Sequence, residues 1–183
     1  MPKVIGKYFL AIVPDEPIKG AITSLKEGLQ ASFGINYALK SPPHITLKMP
    51  FVHNENKEKE LLQTLGRFFL KEKSFSLSLG GIGAFGNRVV FMKVKYPPEL
   101  KHCQERLRDF TKTVLKKNIE LSDTNYHPHM TLAFRDFKKE QFEPVMEYLK
   151  MNNIRYQFKV SQVALLKKVD GYWVVLEYIK LSS

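Results

Sequence analysis

The sequence predicts an α+β protein made of two similar lobes that face one another. A short phrase occurs twice, as Pro-His-Ile-Thr-Leu at 43–47 and as Pro-His-Met-Thr-Leu at 128–132. Strand-like and helix-like stretches also follow one another in approximately the same order in both halves: strand, helix, motif strand, helix, strands. No linker or low-complexity stretch separates the halves. We therefore expect residues 1–183 to form one bilobal domain, with approximate halves 1–90 and 91–183.

The first half begins with an apolar run over 8–13, which predicts a strand. Apolar residues at helical spacing over 18–29 then predict an amphipathic helix that ends near Gly34. Pro42 and Pro43 come directly before the first motif strand, a position that suits them because proline has no amide donor. The remaining elements of this half are predicted as a helix from about 56 to 69 and strands over 75–79 and 89–94.

The second half begins with a helix predicted over about 100–115. The second motif strand is predicted over about 129–134. A shorter helix begins near Pro144, because proline fits the first turn of a helix better than its interior. The chain closes with strands predicted over 158–166 and 172–181. The Asp-Gly pair at 170–171 predicts a hairpin turn between them.

Each motif places a histidine and a threonine on one face of its strand. Successive side chains of a strand point to opposite faces, so residues two apart share a face. His44 and Thr46 therefore point one way while their apolar neighbours point into a core, and His129 and Thr131 repeat the arrangement. A single histidine on a half-buried strand is usually structural. A matched pair suits acid–base chemistry on an oxyanion, because imidazole titrates near neutral pH.

The composition is that of a basic globular protein. Of the 183 residues, 44% are apolar and 26% are charged, and the formal net charge is +11, with a pI near 9.6. Such a charge favours polyanionic partners, RNA and nucleotides before membranes, although many small proteins are basic for solubility alone.

The single cysteine and the apolar run near the start of the chain indicate the cellular location to expect. One cysteine, Cys103, allows neither an intramolecular disulfide nor a multi-cysteine zinc site. The apolar run at 8–13 is too short for a membrane span or a signal peptide, and no cleavage site follows it. We therefore expect a cytoplasmic protein, and the lack of an obvious interface stripe favours a monomer.

Two other motifs point to different chemistry and carry less weight. Gly-Ile-Gly-Ala-Phe-Gly at 81–86 matches the dinucleotide fingerprint, but a strand-like stretch follows it. The fingerprint needs a helix N-terminus to hold the pyrophosphate, so we interpret these glycines as a flexible bend between strands. His127 and His129 have a plausible metal-ligand spacing. No carboxylate lies in either motif, so a metal site is the weaker interpretation.

Residues beside the motifs are candidates for binding a substrate. Lys48 and Arg135 have the same strand parity as the motif histidines and would place positive charge beside a bound phosphate. A solvated cation just beyond a strand end is an equally good interpretation of each. Phe51 and Tyr126 would stack a nucleobase, with core packing as the alternative. His127 would line the rim of the site.

The two His-x-Thr-Leu strands resemble those of the 2H phosphoesterase superfamily. Within it, the chain is similar to the 2′-5′ RNA ligase-like branch, which includes RNA 2′,3′-cyclic phosphodiesterases. Four motifs carry the resemblance: Tyr-Phe-Leu-Ala-Ile at 8–12, Pro-His-Ile-Thr-Leu-Lys at 43–48, Phe-Gly-Asn-Arg-Val-Val-Phe at 85–91 and Pro-His-Met-Thr-Leu-Ala at 128–133. Family members often carry a basic residue directly after that last alanine. This chain has Phe134 there, and Arg135 comes one residue later.

This resemblance implies a fold with a pseudo-two-fold axis, an antiparallel sheet in each lobe and a positively charged cleft between them. It also implies hydrolysis of a 2′,3′-cyclic phosphate on an RNA end or a nucleotide, without a metal or other cofactor. One histidine would take a proton from the attacking water, and the other would protonate the departing ribose oxygen. Thr46 and Thr131 would hold the non-bridging oxygens. Which histidine is the acid stays open, and the roles exchange in the ligating direction.

Two rival functions stay open beside this one. A non-catalytic RNA- or nucleotide-binding module on the same fold would use the cleft without turnover, although binding alone does not need two titratable groups. A metal-dependent hydrolase would use His127 and His129 as ligands.

Overall fold

The residues that the structure describes fold into eight strands and five helices. A computed structural model provides this structure and describes residue 2 and residues 4–183. The strands are β1 (Ile5–Ile12), β2 (Ile45–Asn54), β3 (Phe75–Phe85), β4 (Val89–Lys95), β5 (His129–Phe134), β6 (Tyr156–Val160), β7 (Gln162–Val169) and β8 (Tyr172–Lys180). The helices are α1 (Ile18–Phe33), α2 (Glu58–Phe69), α3 (Pro98–Thr113), α4 (Leu121–Thr124) and α5 (Phe142–Met151). A 3₁₀-helix, Tyr37–Lys40, lies between α1 and β2.

The strands form one antiparallel sheet in the order β6-β3-β4-β5-β2-β1-β7-β8. The two motif strands, β2 and β5, are neighbours at its centre and share one registered pair, Ile45 with Met130. The sheet therefore consists of two four-stranded groups joined at the motif strands. Only one residue separates β6 from β7, yet they lie towards opposite ends of this order, so the sheet must curl. The predicted α+β fold with antiparallel strands is confirmed, and the two predicted sheets are the two halves of one continuous sheet.

The two strand groups do not follow the predicted sequence halves. Strands β3 and β4 of the first half pair with β6 and β5, whereas β7 and β8 of the second half join β1. The boundary near residue 90 is therefore wrong as a division between the groups. Hydrophobic periodicity indicates the type of each element but not its pairing partner, which long-range contacts decide.

One predicted strand is two strands in the structure. The stretch predicted over 158–166 breaks at Ser161, where β6 leaves β3 and β7 begins to pair with β1. The carbonyl of Ser161 accepts a hydrogen bond from the amide of Leu181. Val160 and Val163 are both buried in the same core, so the apolar pattern continues through the break and hides it.

The glycine-rich stretch at 81–86 also differs from the predicted bend. Its residues up to Phe85 belong to β3, which pairs with β4 through a register shift between Leu79 and Ile82. Gly81 has a φ of +74° at this bulge, a conformation that glycine adopts without strain. Strand β4 follows, so the stretch lacks the helix N-terminus that a dinucleotide fingerprint requires.

The helices cover one face of the sheet and leave part of the other face open. Strand β1 illustrates the division, because Leu10 packs in one core with the helix residues Leu29 and Leu65. Phe9 and Ala11 point to the opposite face and belong to a separate cluster without helix residues. This second face carries the cleft described below. No helix in the described residues is long and apolar enough to cross a membrane.

Candidate active site

Both motifs place their histidine and threonine at one cleft of about 650 Å³ on the open face of the sheet. His44, Thr46, His129 and Thr131 all line it and are partly exposed. The apolar residues between and after them are buried in the main core: Ile45, Leu47, Met130 and Leu132. The alternation predicted from strand geometry is therefore confirmed for both motifs, and the central pairing of β2 with β5 brings them together.

Each motif imidazole lies within hydrogen-bond distance of the backbone carbonyl two residues before it. Nδ1 of His44 lies 2.8 Å from the carbonyl oxygen of Pro42, and Nδ1 of His129 lies 2.6 Å from that of His127. A carbonyl oxygen can only accept a hydrogen bond, so Nδ1 must carry the proton in both rings. The second nitrogen, Nε2, is then the one that exchanges a proton in each ring.

Burial favours the neutral form of both histidines. It lowers the pKa of His44 to about 4, with the charge of Lys26 and then that of His129 acting in the same direction. The hydrogen bond to Pro42 opposes this shift. Burial also lowers the pKa of His129, while its bond to the His127 carbonyl opposes the change. The two imidazoles are therefore alike in geometry and unlike in electrostatic surroundings.

Aromatic rings from neighbouring strands surround both imidazoles. The ring centroid of Phe9 lies 4.9 Å from that of His44, and the ring centroid of Phe91 lies 5.1 Å from that of His129. Phe85 contacts His129 edge-on at 4.9 Å. These rings cover part of each imidazole and so contribute to the burial that is the largest influence on each pKa.

A β-bulge follows the threonine of each motif. Across β1 and β2, Ala11 pairs with Thr46 but Leu10 pairs with Lys48, so one residue of β2 is extra. Across β4 and β5 the same shift falls between Thr131 and the next paired residue. A bulge reverses the alternation of faces beyond it. Strand parity therefore holds up to Leu47 and Leu132 and fails at the next residue of each strand, where Lys48 and Ala133 are also buried.

The bulge moves Lys48 out of the predicted position beside the substrate. Lys48 is buried and does not line the cleft. Its ammonium lies 2.7 Å from Asp123 and 3.0 Å from the carbonyl of Met49. The placement predicted from strand parity is wrong, because the residue after the bulge turns into the core and finds a carboxylate there.

Arg135 does reach the cleft, by a route that strand parity does not describe. It follows the end of β5 with a φ of +74° and lines the cavity. Its guanidinium donates a hydrogen bond to the hydroxyl of Tyr37 at 3.0 Å and lies over the rings of Tyr37 and Phe134. Asp136 accepts hydrogen bonds from the amides of Asn36 and Tyr37, which fixes the 3₁₀-helix beside it.

Of the other predicted binding residues, two line the cleft and one does not. His127 is exposed and lines the cleft, as predicted. Tyr126 also lines it, but its hydroxyl is buried without a hydrogen-bond partner in the described residues, and burial raises its pKa. Phe51 is buried in the core, where its ring stacks on Tyr8 at 6.1 Å. The placement of Phe51 at the site is therefore wrong, and core packing is the correct interpretation.

Sequence reasoning missed the basic residues that come to the cleft from distant segments. Lys7, Lys40 and Lys168 line it from β1, the 3₁₀-helix and β7. No motif marks them, because only the curled sheet brings these segments together. Asp123, the carboxylate at the cleft, is occupied by Lys48 and backbone amides.

The metal interpretation finds no ligand set in the part of the chain that the structure describes. His127 and His129 both line the cleft. The described residues contain no group of three or more histidine, cysteine or acidic side chains that could hold a metal ion.

Paired His-x-Thr strands at the centre of one curled antiparallel sheet are the arrangement of the 2H phosphoesterases. A model of the family described as the 2′-5′ RNA ligase superfamily matches residues 14–171, and the chain belongs to this superfamily. Two curated relatives bear the name "Putative phosphoesterase". The one from Bacillus mycoides (strain KBAB4) is 29% identical over 161 residues. The one from Bacillus cereus (strain AH820) is 28% identical over 159 residues. Each match covers 85% of this chain and 88% of the relative. The similarity to these relatives therefore extends over most of the length of both chains.

Solved structures agree on the fold over the whole chain. The Thermus thermophilus protein TT0787 superposes with a TM-score of 0.67 at 22% identity, covering 96% of this chain and 97% of that one. E. coli LigT complexed with 3′-AMP superposes with a TM-score of 0.63 at 20% identity, covering 100% of both chains. These likenesses establish the fold.

Proposed function

We propose that this protein hydrolyses 2′,3′-cyclic phosphates, at RNA ends or on nucleotides, by paired histidine acid–base catalysis. The observation that carries the proposal is the matched geometry of His44 and His129. Each is held by the carbonyl two residues before it and has Nε2 free for proton exchange at one shared cleft. Such a pair supplies one proton acceptor and one proton donor on a single substrate.

The proposed reaction is an in-line displacement at phosphorus. One neutral imidazole takes a proton from water as the water oxygen forms a bond to phosphorus. The bond from phosphorus to one ribose oxygen breaks, and the other, protonated imidazole gives its proton to that oxygen. The product is a phosphomonoester beside a free hydroxyl. If an RNA hydroxyl takes the place of water, the same step joins two ends and each histidine keeps its role. In the reverse reaction the ribose hydroxyl attacks phosphorus, the cyclic phosphate forms again, and the two histidines exchange roles.

The threonines and cations of the cleft suit the charge of this substrate. Thr46 and Thr131 donate hydroxyl hydrogen bonds to the non-bridging oxygens, which gain charge in the transition state. Lys7, Lys40 and Arg135 add positive potential at the cleft. A net charge of +11 extends this attraction to a longer polyanion such as an RNA strand.

The ligands of similar solved structures support nucleotide binding at this cleft. Crystal structures of E. coli LigT were obtained with 3′-AMP, NADP+ and ATP. Each of these ligands carries a nucleotide with phosphate groups. We extend nucleotide binding to the cleft of this chain as part of the proposal.

The test is hydrolysis of 2′,3′-cyclic nucleotides and of cyclic-phosphate-ended RNA, with and without a chelator. The expected result is turnover that survives the chelator and falls by at least about 100-fold in His44→Ala and in His129→Ala. His102→Ala is the matched control, because His102 is exposed on α3 outside the cleft, and it should retain full activity.

Two other outcomes would replace the proposal. Loss of activity on chelation, restored by added metal, would favour a metal-dependent hydrolase that uses His127 and His129. Tight nucleotide or RNA binding without turnover on any cyclic phosphate would favour a non-catalytic binding module.

A further inference from the structure

A buried lysine on helix α1 contacts the segment that leads into the first motif histidine. Lys26 is 2% exposed and does not line the cleft. Its ammonium donates hydrogen bonds to the carbonyl oxygens of Ala38 at 3.0 Å and Ser41 at 3.3 Å. In the part of the chain that the structure describes, Lys26 forms no ion pair.

Keeping an ammonium in this place has an energetic cost. Removing a charge from water without a counter-charge is unfavourable, and this burial lowers the pKa of Lys26 to about 8. The group is still mostly protonated at neutral pH. A methionine of similar length would fill the same space without that cost, so packing alone does not account for a lysine here.

The two carbonyls belong to the segment that leads into the first motif. Ala38 lies in the 3₁₀-helix, and Ser41 directly precedes Pro42. The carbonyl of Pro42 in turn accepts the Nδ1 hydrogen bond that orients His44. Lys26 therefore fixes the backbone segment whose Pro42 carbonyl orients the imidazole of His44.

The charge of Lys26 also acts on His44 directly. After burial, it is the largest influence that lowers the pKa of this histidine. The other groups acting on His44 are the Pro42 carbonyl, which opposes the shift, and His129, which adds to it. The neighbours that act on the pKa of His129 are instead the carbonyl and the ring of His127.

We propose that Lys26 is a positioning residue that fixes the 38–42 backbone and thereby orients the His44 imidazole. Its ammonium charge also favours the neutral form of His44. The two motifs are symmetric in sequence, and Lys26 makes their histidines unequal. His44, in its neutral form, would then be the base that accepts a proton. His129, which lacks this neighbouring charge, would be the protonated acid. This role rests on the proposed function, because it has meaning only where the two histidines divide acid and base work.

The test compares Lys26→Met, which removes the charge and keeps the length, with Lys26→Arg, which keeps the charge. The C2 proton of His44 is titrated by NMR, with the resonance assigned from His44→Asn. In Lys26→Met we expect the titration midpoint of His44 to rise by about 0.5 pH or more, because a like charge has been removed. The acidic limb of kcat/KM should move upward by the same amount. Lys26→Arg should leave both nearly unchanged.

Lys19→Met on the same helix is the matched control, because Lys19 is partly exposed and pairs with Glu16 at the surface. If Lys26→Met does not fold, Lys26→Gln gives the same comparison with a neutral donor. An unchanged His44 midpoint in a folded, merely destabilised variant would overturn the proposal, as would equal shifts in Lys26→Met and Lys26→Arg. The NMR titration needs no turnover. If the wild-type protein hydrolyses no cyclic phosphate, the proposed function fails, while the titration still decides whether Lys26 controls His44.

Discussion

The ammonium of Lys48 lies 2.7 Å from the carboxylate of Asp123, and both side chains are only 1% exposed. Lys48 follows the first motif on β2, whereas Asp123 belongs to helix α4, which leads into the second motif. The same carboxylate accepts hydrogen bonds from the amides of Met49 and Glu120. This pair therefore connects β2 to the segment that leads into β5, at the wall of the cleft that Asp123 lines.

Replacing Asp123 by asparagine leaves the ammonium of Lys48 buried without a counter-charge. Removing one partner of a buried pair costs about 3–5 kcal/mol, so we expect a loss of this order in the free energy of unfolding, measured by urea denaturation. Asp109→Asn is the control, because Asp109 pairs with Arg108 at the surface and should cost less than about 1 kcal/mol. Similar losses in both variants would mean that the buried pair does not stabilise the joined strands.

The motif residues could be placed from the sequence because their signal is local. Alternation over four residues decides which side chains face the core, and Ile45 and Leu47 are buried as that rule requires. The helix that ends at Gly34 could be predicted for the same reason, since glycine adopts the positive φ of +72° found there.

Beyond the leucine of each motif the local rule fails because the sheet is irregular. A bulge reverses the side-chain faces, so Lys48 enters the core, while Arg135 reaches the cleft only through its positive φ. No pattern in the sequence indicates a bulge of this kind. The pairing of β3 and β4 with the second motif strand is also decided by contacts between distant segments, as are the positions of Lys26 and Asp123.

Replacing either motif threonine by valine should slow the reaction without removing substrate binding. Valine keeps the branched shape on the strand but removes the hydroxyl donor to the non-bridging oxygen. Removing one such donor costs about 10²–10³-fold in kcat. We expect this loss in Thr46→Val and in Thr131→Val, measured as initial rates on a cyclic nucleotide. Thr113→Val, at an exposed position at the end of α3, is the control, and a comparable loss there would contradict the assignment.

The two histidines predict a bell-shaped pH dependence with an acidic optimum. The active form carries one proton on the pair, so kcat/KM falls when both rings are protonated and when both are neutral. The lower limb should lie near pH 4, because burial lowers the pKa of His44 to about that value. The upper limb should lie below 6.5, since burial also lowers the pKa of His129.

The pH profile of kcat, measured separately from that of kcat/KM, should differ from it in a defined direction. A bound phosphate favours protonated imidazole, so both limbs of the kcat profile should lie at higher pH than those of kcat/KM. A kcat/KM profile that rises steadily from pH 6.5 to 9 would contradict two histidines with lowered pKa values as the titrating groups.

Arg135 should determine how tightly the cleft holds the phosphate of the substrate. Its guanidinium is held against Tyr37 and Phe134 and carries a charge that no carboxylate neutralises among the ion pairs of the described residues. A hydrogen bond to a charged group contributes about 1.5–3 kcal/mol, so Arg135→Ala should raise KM by about 10-fold or more. The change in kcat should be smaller, because the contact is made before the reaction as well as during it. Arg135→Lys should lie in between, since lysine keeps the charge but not the planar stacking. Arg67→Ala on α2 is the matched control for lost surface charge, and an equal rise in KM there would mean that Arg135 acts only through the overall field.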